Sequence, residues 1–282
     1  MTNRTPQLFF VVSFIVFALL VNFGGETTET RVRGAEDRVV VSAPVQVALA
    51  FGDRFLAANL EVIRLAATGM EINSVTGTID GRYLLRAHQA VTELNACHED
   101  NYYLANSILA WAGADNEANE ILLAAANCRH WDFLPAFLYG FNQYFFNRNV
   151  SEAQRGLEMA AMRSSENANA MRRFSIMIAA EEIDDEAVAL AYLKEQQAQA
   201  SDPSLANSLM DRVVRLEGLI TLRDAQREFE AKGNGLLRSA QTLLEANILE
   251  AFPTDPLGIG YEFIDGQFKL RQLRIQGVER PQ

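Results

Sequence analysis

The chain has 282 residues, of which 49% are hydrophobic, and it carries a formal net charge of −11. The hydrophobic content excludes a wholly disordered chain and is enough for one large or two modest domains. The acidic balance argues against nucleic acid, and against an anionic membrane surface as the main partner, since both are bound through clustered lysine and arginine.

An uncharged apolar run, Leu8 to Phe23, follows a short segment that contains Arg4. Such a run predicts insertion into a membrane. It is slightly shorter than the roughly 20 residues of a spanning helix, so a cleaved signal peptide is the alternative, although the residues that follow form a poor cleavage site. We predict a signal-anchor over residues 1–25, with membrane contact through 8–25, and a polar tether over 26–44. The bulk of the chain is then exported, to the periplasmic side if the protein is bacterial.

Helical periodicity extends from Val45 to Gln197 and is interrupted by a predicted loop at 71–81. The short connections between segments are typical of antiparallel helix hairpins. The predicted helices are 47–68, 82–97, 102–112, 116–127, 132–146, 151–163, 168–180 and 184–197.

The C-terminal part has a different pattern. Asp202 and Pro203 indicate the N-cap and first turn of a long helix that keeps its period to Ala231. A shorter helix is predicted over 236–247. The strands 259–264 and 267–273 then alternate around Asp265-Gly266, which is a strong signal for a β-hairpin.

A small–large–small pattern recurs within the predicted helices. The step is 35 residues from 118 to 153 and 34 residues from 153 to 187, and an earlier copy precedes by 31 residues, from 87 to 118. Periods near 34 residues are typical of helix–turn–helix repeats. The copies are Ala87/Val91/Leu94, Ala118/Leu122/Ala125, Ala153/Leu157/Ala160 and, more loosely, Ala187/Ala191.

This pattern, together with the aromatic residue Tyr144, resembles the tetratricopeptide repeat. The match is degenerate at Phe141, Arg148 and Lys194, so a plain α-solenoid is the alternative. The resemblance implies a mainly α fold: an α-solenoid of tetratricopeptide-like helix pairs over 45–200, followed by a cap of long helix, short helix and small β-hairpin over 201–282.

The order of elements beyond the predicted anchor carries a wider likeness. It is similar to membrane-anchored bacterial tetratricopeptide proteins that end in a DP-G-x-Y hairpin, here within FPTDPLGIGYEFIDGQFKL. The tail also resembles the C-terminal hairpin of type II secretion pseudopilins, but Thr2 to Gln7 offers no convincing prepilin cleavage site.

The two cysteines each have a histidine close by in the sequence. A disulfide between Cys97 and Cys128 suits an exported domain, provided that the Cα atoms lie within about 7 Å. A metal site of Cys97, His98, Cys128 and His130 is the weaker alternative, because the spacing within each pair is unlike that of zinc sites. Two unlinked buried thiols are the third possibility.

The helix predicted over 132–146 has more aromatic residues than one buried stripe needs. The tetratricopeptide register directs Tyr144 and Phe137 to the core and the neighbouring positions to a concave groove. Contiguous exposed aromatic residues typically mark an interface, whereas core packing is the alternative. We predict a partner-binding groove formed by Tyr103, Trp111, Leu138, Asn142, Phe145 and Arg172.

Motifs for catalysis are missing from the sequence: we find no nucleophile–histidine–acid order, phosphate-binding loop or H-E-x-x-H. We therefore expect no enzymatic activity and no cofactor. The expected function is that of a scaffold or adaptor for an envelope complex. The alternative is an accessory structural subunit of a membrane enzyme or secretion complex, with contacts made by the anchor and the pseudopilin-like tail.

Overall fold

The computed structural model describes residues 39–68 and 81–271. This part of the chain is mainly helical and ends in a two-stranded antiparallel hairpin, which confirms the predicted fold class at that level. Within these ranges, no helix is both long enough and apolar enough to cross a membrane. The predicted signal-anchor, most of the tether and most of the predicted 71–81 loop lie outside the described residues.

Between residues 81 and 231 the helices are joined by short connections of two to six residues. In the described residues, a 3₁₀ turn, Ala110–Ala112, continues the helix that ends at Leu109. The others are α1 (Ala43–Leu49), α2 (Arg54–Thr68), α3 (Gly81–Leu94), α4 (Glu99–Leu109), α5 (Asp115–Cys128), α6 (Leu134–Phe145), α7 (Val150–Ala161), α8 (Ala168–Glu181), α9 (Glu186–Gln199), α10 (Pro203–Ala231), α11 (Thr242–Glu245), β1 (Tyr261–Ile264) and β2 (Gln267–Leu270).

The helix predicted over 47–68 is two helices. The chain turns at Phe51 and Gly52, whose φ angles are 55° and 89° and therefore incompatible with a continuous helix. The Asp53 carboxylate then accepts hydrogen bonds from the backbone N–H groups of Phe55 and Leu56, at 2.9 and 3.0 Å. This cap starts α2 as a separate element.

Successive helices from α3 to α8 pack on their chain neighbours. The recurring small–large–small residues are buried in α3, α5 and α7, where they line the contacts between helices. The predicted fourth copy is wrong: Ala187 and Ala191 are exposed on α9, whereas Ala189 and Leu193 are buried. The reason is that α9 packs chiefly against the long helix α10, which draws a different face of α9 into the core.

Helices α6 and α7 cross at two glycines. A Cβ atom added to Gly156 would lie 2.7 Å from the Cα of Gly140, and one added to Gly140 would lie 2.8 Å from the Ala153 carbonyl oxygen. Backbone therefore packs on backbone at this crossing. The contact fixes α6 between two core clusters. Tyr139 belongs to the first core cluster, which α1 to α5 mainly form, and Tyr144 belongs to the second, which α7 and α8 mainly form.

The C-terminal cap differs in part from its prediction. Asp202 caps α10 by accepting from the N–H groups of Ser204 and Leu205, as its sequence predicts. The helix predicted over 236–247 is reduced to the single turn α11, because Leu237 and Leu243 are both buried against α10 by an irregular segment. The hairpin pairs Tyr261 with Leu270, and its strands are shorter than predicted.

We predict that Gly156→Ala destabilises the fold by roughly 1–3 kcal/mol, since the added methyl group overpacks a backbone contact. Gly81→Ala is the matched control, because a Cβ at Gly81 meets nothing within 4 Å. Thermal unfolding followed by circular dichroism measures both. Equal unfolding midpoints for the two variants would contradict the close crossing.

Candidate partner-binding surface

Aromatic rings form a row along α6 that continues onto the 3₁₀ turn. Phe137, Phe141 and Phe145 are four residues apart and so lie on one side of the helix. The rings of Phe141 and Phe145 are nearly parallel, and their centroids are 5.4 Å apart. The centroid of the Trp111 ring lies 5.6 Å from that of Phe145. We call Phe137, Phe141, Phe145 and Trp111 the aromatic ladder.

The exposed end of the ladder is Trp111. Its side chain is 57% exposed although its ring rests on both Phe145 and Phe146, and Tyr103 on α4 is 56% exposed. A large aromatic side chain that is supported from below and open to solvent above is typical of an interface anchor. The aromatic spacing on α6 was visible in the sequence, but the stacking of Trp111 onto it depends on how α4 packs.

Two residues of the predicted groove are not on an open surface. Phe145 is 6% exposed and Asn142 is 1% exposed. Trp111 packs against Phe145, and Asn142 donates a 2.7 Å hydrogen bond to the Asn106 side chain on α4. Leu138 is half-buried and packs against the first core cluster. The packing of α4 against α6 therefore closes this part of the predicted groove.

The Tyr144 and Phe137 positions agree with the predicted register. Tyr144 is buried, meets Phe174 edge-on at 5.7 Å and donates a 2.5 Å hydrogen bond to the Glu181 carboxylate. Phe137 is half-buried against the second core cluster. Both side chains connect α6 to the helices that follow it.

Arg172 lies in a separate polar cleft between α7, α8, α9 and the start of α10. The cleft has a volume of about 420 Å³ and shares no lining residue with the aromatic ladder. Arg172 pairs with Glu158 at 3.0 Å on its wall. Neutral amide and hydroxyl groups provide most of the other hydrogen-bonding positions, which suit the main chain of an extended peptide; they include Gln154, Asn169, Ser175, Tyr192 and Gln196.

Cys97 and Cys128 form a disulfide, with their Cα atoms 5.3 Å apart. The approach is close because Cys97 lies in the turn after α3 rather than within a helix, and Cys128 is the last residue of α5. The weaker metal alternative is wrong, since both sulfur atoms are bonded to each other. The described residues contain no group of histidine, cysteine and carboxylate side chains that could hold a metal ion.

Arg129 connects the chain segments on either side of this disulfide. Its guanidinium donates to the Cys97 carbonyl at 3.1 Å and pairs with Glu99 and Asp132 at 3.0 and 2.9 Å. The Tyr102 hydroxyl donates to the same Asp132 carboxylate, and burial together with this bond raises the pKa of Tyr102. Tyr102 therefore stays neutral, and the cluster is a structural clamp.

The tail motif is engaged within the chain. Asp255 is almost fully buried, lies 3.1 Å from Arg215 of α10, and accepts from the backbone N–H groups of Leu257 and Gly260 at 2.9 and 2.6 Å. The Tyr261 hydroxyl donates to the Arg215 carbonyl at 3.1 Å, and its ring lies where Gly218 leaves room for it. These contacts dock the hairpin on α10.

The hydrogen-bond and charge partners of Asp255 stabilise its ionised form. Burial opposes the charge, but the backbone N–H groups of Gly260 and Leu257 and the Arg215 guanidinium outweigh it, so the pKa of Asp255 lies below its usual range. A carboxyl whose pKa is lower in the folded state stabilises the fold fully above its unfolded pKa. That stabilisation is lost as the pH falls through the folded pKa.

Comparisons of the chain with protein-family models, with curated proteins and with solved structures find no match. A functional argument therefore depends on the chain's own geometry. Its strongest elements are the supported aromatic surface at Trp111, the polar cleft at Arg172 and the disulfide.

We predict that replacing both cysteines, Cys97→Ser with Cys128→Ser, lowers the free energy of unfolding by about 4 kcal/mol, because the bond closes a loop of 31 residues. Thermal unfolding with and without dithiothreitol measures this. The reductant should lower the unfolding midpoint of the wild type and leave the double variant unchanged. A wild type that is insensitive to reduction would contradict the role of the bond.

We predict that Asp255→Asn destabilises the chain at neutral pH by about 3 kcal/mol, because Arg215 then loses its charge partner in a buried site. The difference from wild type should shrink as the pH falls through the lowered pKa of Asp255. The measurement is the thermal unfolding midpoint between pH 7 and pH 2. Asp265→Asn, at the exposed hairpin turn, is the control and should follow the wild type. A difference that does not vary with pH would refute the charge pairing.

Proposed function

We propose that the chain is a membrane-anchored scaffold or adaptor that binds a protein subunit of an envelope complex. Residues 8–25 form its anchor, and the helices up to α9 form an α-solenoid of degenerate tetratricopeptide-like pairs. The observation that carries the proposal is Trp111, which is 57% exposed while its ring is supported by two phenylalanines. Tryptophan held in this way contributes strongly to protein–protein affinity.

The packing pattern supports the repeat architecture. Equivalent small–large–small residues are buried in α3, α5 and α7, and the helices between them pack on their chain neighbours. Stacked helix pairs of this kind present extended surfaces, which suit protein recognition. The polar cleft at Arg172 offers a second, neighbouring place where an extended peptide segment of the same partner could form hydrogen bonds.

The disulfide supports export of the bulk of the chain. Disulfides persist in oxidising compartments and are rare where the cytosolic thiol pool keeps cysteines reduced. The tail that carries the pseudopilin likeness uses Asp255 and Tyr261 in internal contacts. We therefore assign the main partner contact to the Trp111 surface rather than to the tail.

The test compares Trp111→Ala with Trp131→Ala in the tagged full-length chain, purified from gently solubilised native membranes. Trp131 is the matched control because it is similarly exposed. Its ring lies beside the Arg129 guanidinium, and within the described residues it stacks on no other aromatic ring. Phe145→Ala is unsuitable, since Phe145 is buried and its loss would perturb the core.

The expected result is a defined partner that co-purifies with the wild type and with Trp131→Ala and is lost from Trp111→Ala. A loss of roughly 2 kcal/mol or more, about thirtyfold in affinity, is the usual size for such an anchor. A partner retained by Trp111→Ala would move the contact to the anchor or the tail. The absence of any stable partner would overturn the scaffold proposal.

A further inference from the structure

The N-terminal helices have an unusual concentration of exposed apolar residues. Eighteen large hydrophobic side chains are exposed in the described parts of the chain, and eight of them lie between residues 39 and 63. These twenty-five residues at the N-terminal end of the stack would be expected to have a polar outer surface if they simply ended a helical repeat array in water. The eight are Val39, Val45, Leu49, Phe51, Phe55, Leu56, Leu60 and Ile63.

Helix α2 is apolar on both sides. Its inner side, with Ala57, Ala58, Val62 and Leu65, is buried in the first core cluster. Its outer side has Phe55, Leu56, Leu60 and Ile63, which span roughly 140° of the helix at 3.6 residues per turn. We call these four residues the α2 outer face. The polar residue within the same arc is Asn59, whose side chain contacts His98 at 3.0 Å.

The turn before α2 extends this apolar surface. Phe51 is 99% exposed, and its φ of 55° places it in a backbone conformation that costs free energy for a residue with a side chain. Leu49, at the end of α1, is also exposed. Covering an exposed aromatic side chain with an apolar phase lowers the free energy, because the apolar surface leaves water.

The charges of this region are balanced and so do not oppose a lipid surface as that phase. Residues 39–68 contain Asp53, Arg54, Glu61 and Arg64, whose formal charges sum to zero, in a chain whose net charge is −11. Arg64 pairs with the buried Glu61, and Arg54 donates to the Leu94 and Glu93 carbonyls. This face can therefore approach a bilayer without the electrostatic repulsion that an acidic surface meets at anionic lipids.

The position of the face in the chain favours a lipid surface. The face follows the predicted tether by way of α1, and residues 26–48 separate its first residue, Leu49, from the proposed anchor. Twenty-three residues span at most about 80 Å when fully extended, and less where α1 is helical, so the face stays within that distance of the bilayer that holds the anchor. Such tethering raises the effective concentration of the lipid surface and lets a modest apolar face remain bound.

We propose that the α2 outer face, with Phe51 and Leu49, lies in the interfacial layer of the bilayer and so sets the orientation of the helical stack on the membrane. The inference rests on the anchor of the proposed function. A lipid interface covers a helix face and the adjoining turn together, as amphipathic helices do when they lie in the membrane plane.

The test uses the full-length chain reconstituted into phosphatidylcholine vesicles with brominated or ordinary acyl chains. Trp111→Phe and Trp131→Phe remove the native tryptophan fluorescence, and a reporter is then introduced by Phe51→Trp. The matched control reporter is Met162→Trp, at an exposed position that caps the C-terminal end of α7. Bromine quenches tryptophan on contact. We expect brominated lipid to quench the Phe51→Trp reporter and to leave the Met162→Trp reporter unchanged.

A further variant combines Phe51→Trp with Leu60→Glu and Ile63→Glu. Carboxylates on the face should abolish the quenching while the chain still floats with the vesicles, and circular dichroism checks that it is folded. Flotation without quenching of the Phe51→Trp reporter would overturn this inference. The face would then be covered by a second copy or another segment of the chain, or would be left in water. Quenching that persists in the glutamate variant would remove the α2 outer face from the contact. A chain that does not float at all would instead overturn the anchor, and with it this inference.

Discussion

The close crossing of α6 and α7 is the contact on which the arrangement of the chain depends. At Gly140 and Gly156 backbone meets backbone, and Ala153 and Leu157 lie at the same crossing. With α6 fixed in this way, Tyr139 enters the first core cluster and Tyr144 the second. The remaining side of α6 is then available for the aromatic ladder, which supports Trp111 at the surface. The surface proposed to bind a partner is thus a consequence of how closely two helices approach.

Much of the helical order follows from the sequence because burial imposes a period. The small–large–small residues marked the buried sides of α3, α5 and α7, and Asp202-Pro203 marked the start of α10. The errors have local causes. The break at Phe51-Gly52 depends on a backbone conformation that the continuous apolar pattern of this segment does not reveal. The buried face of α9 is set by its packing against α10, which does not belong to the repeat pattern. The irregular segment before α11 buries leucines without helical geometry.

The candidate surface was predictable only in part. Composition indicated that α6 has surplus aromatic residues, but the side they take depends on α4, which closes over Asn142 and Phe145 and leaves Trp111 open. The disulfide was one of three alternatives because its geometry depends on a turn after α3 that spacing alone does not define. The DP-G-x-Y tail suggested an external contact by likeness, whereas its charged and aromatic groups bind α10. A motif shows which groups act together and not which surface they face.

The central claim is that the Trp111 surface is where a partner binds, and site-specific photo-crosslinking in living cells tests it most directly. A photoreactive amino acid in place of Tyr103, which is 56% exposed and precedes Trp111 by eight residues on the helix that the 3₁₀ turn continues, should give one discrete adduct with a protein of the envelope. The same group in place of the exposed Met162 should give none. Adducts that are absent at Tyr103, or identical from both positions, would contradict the account.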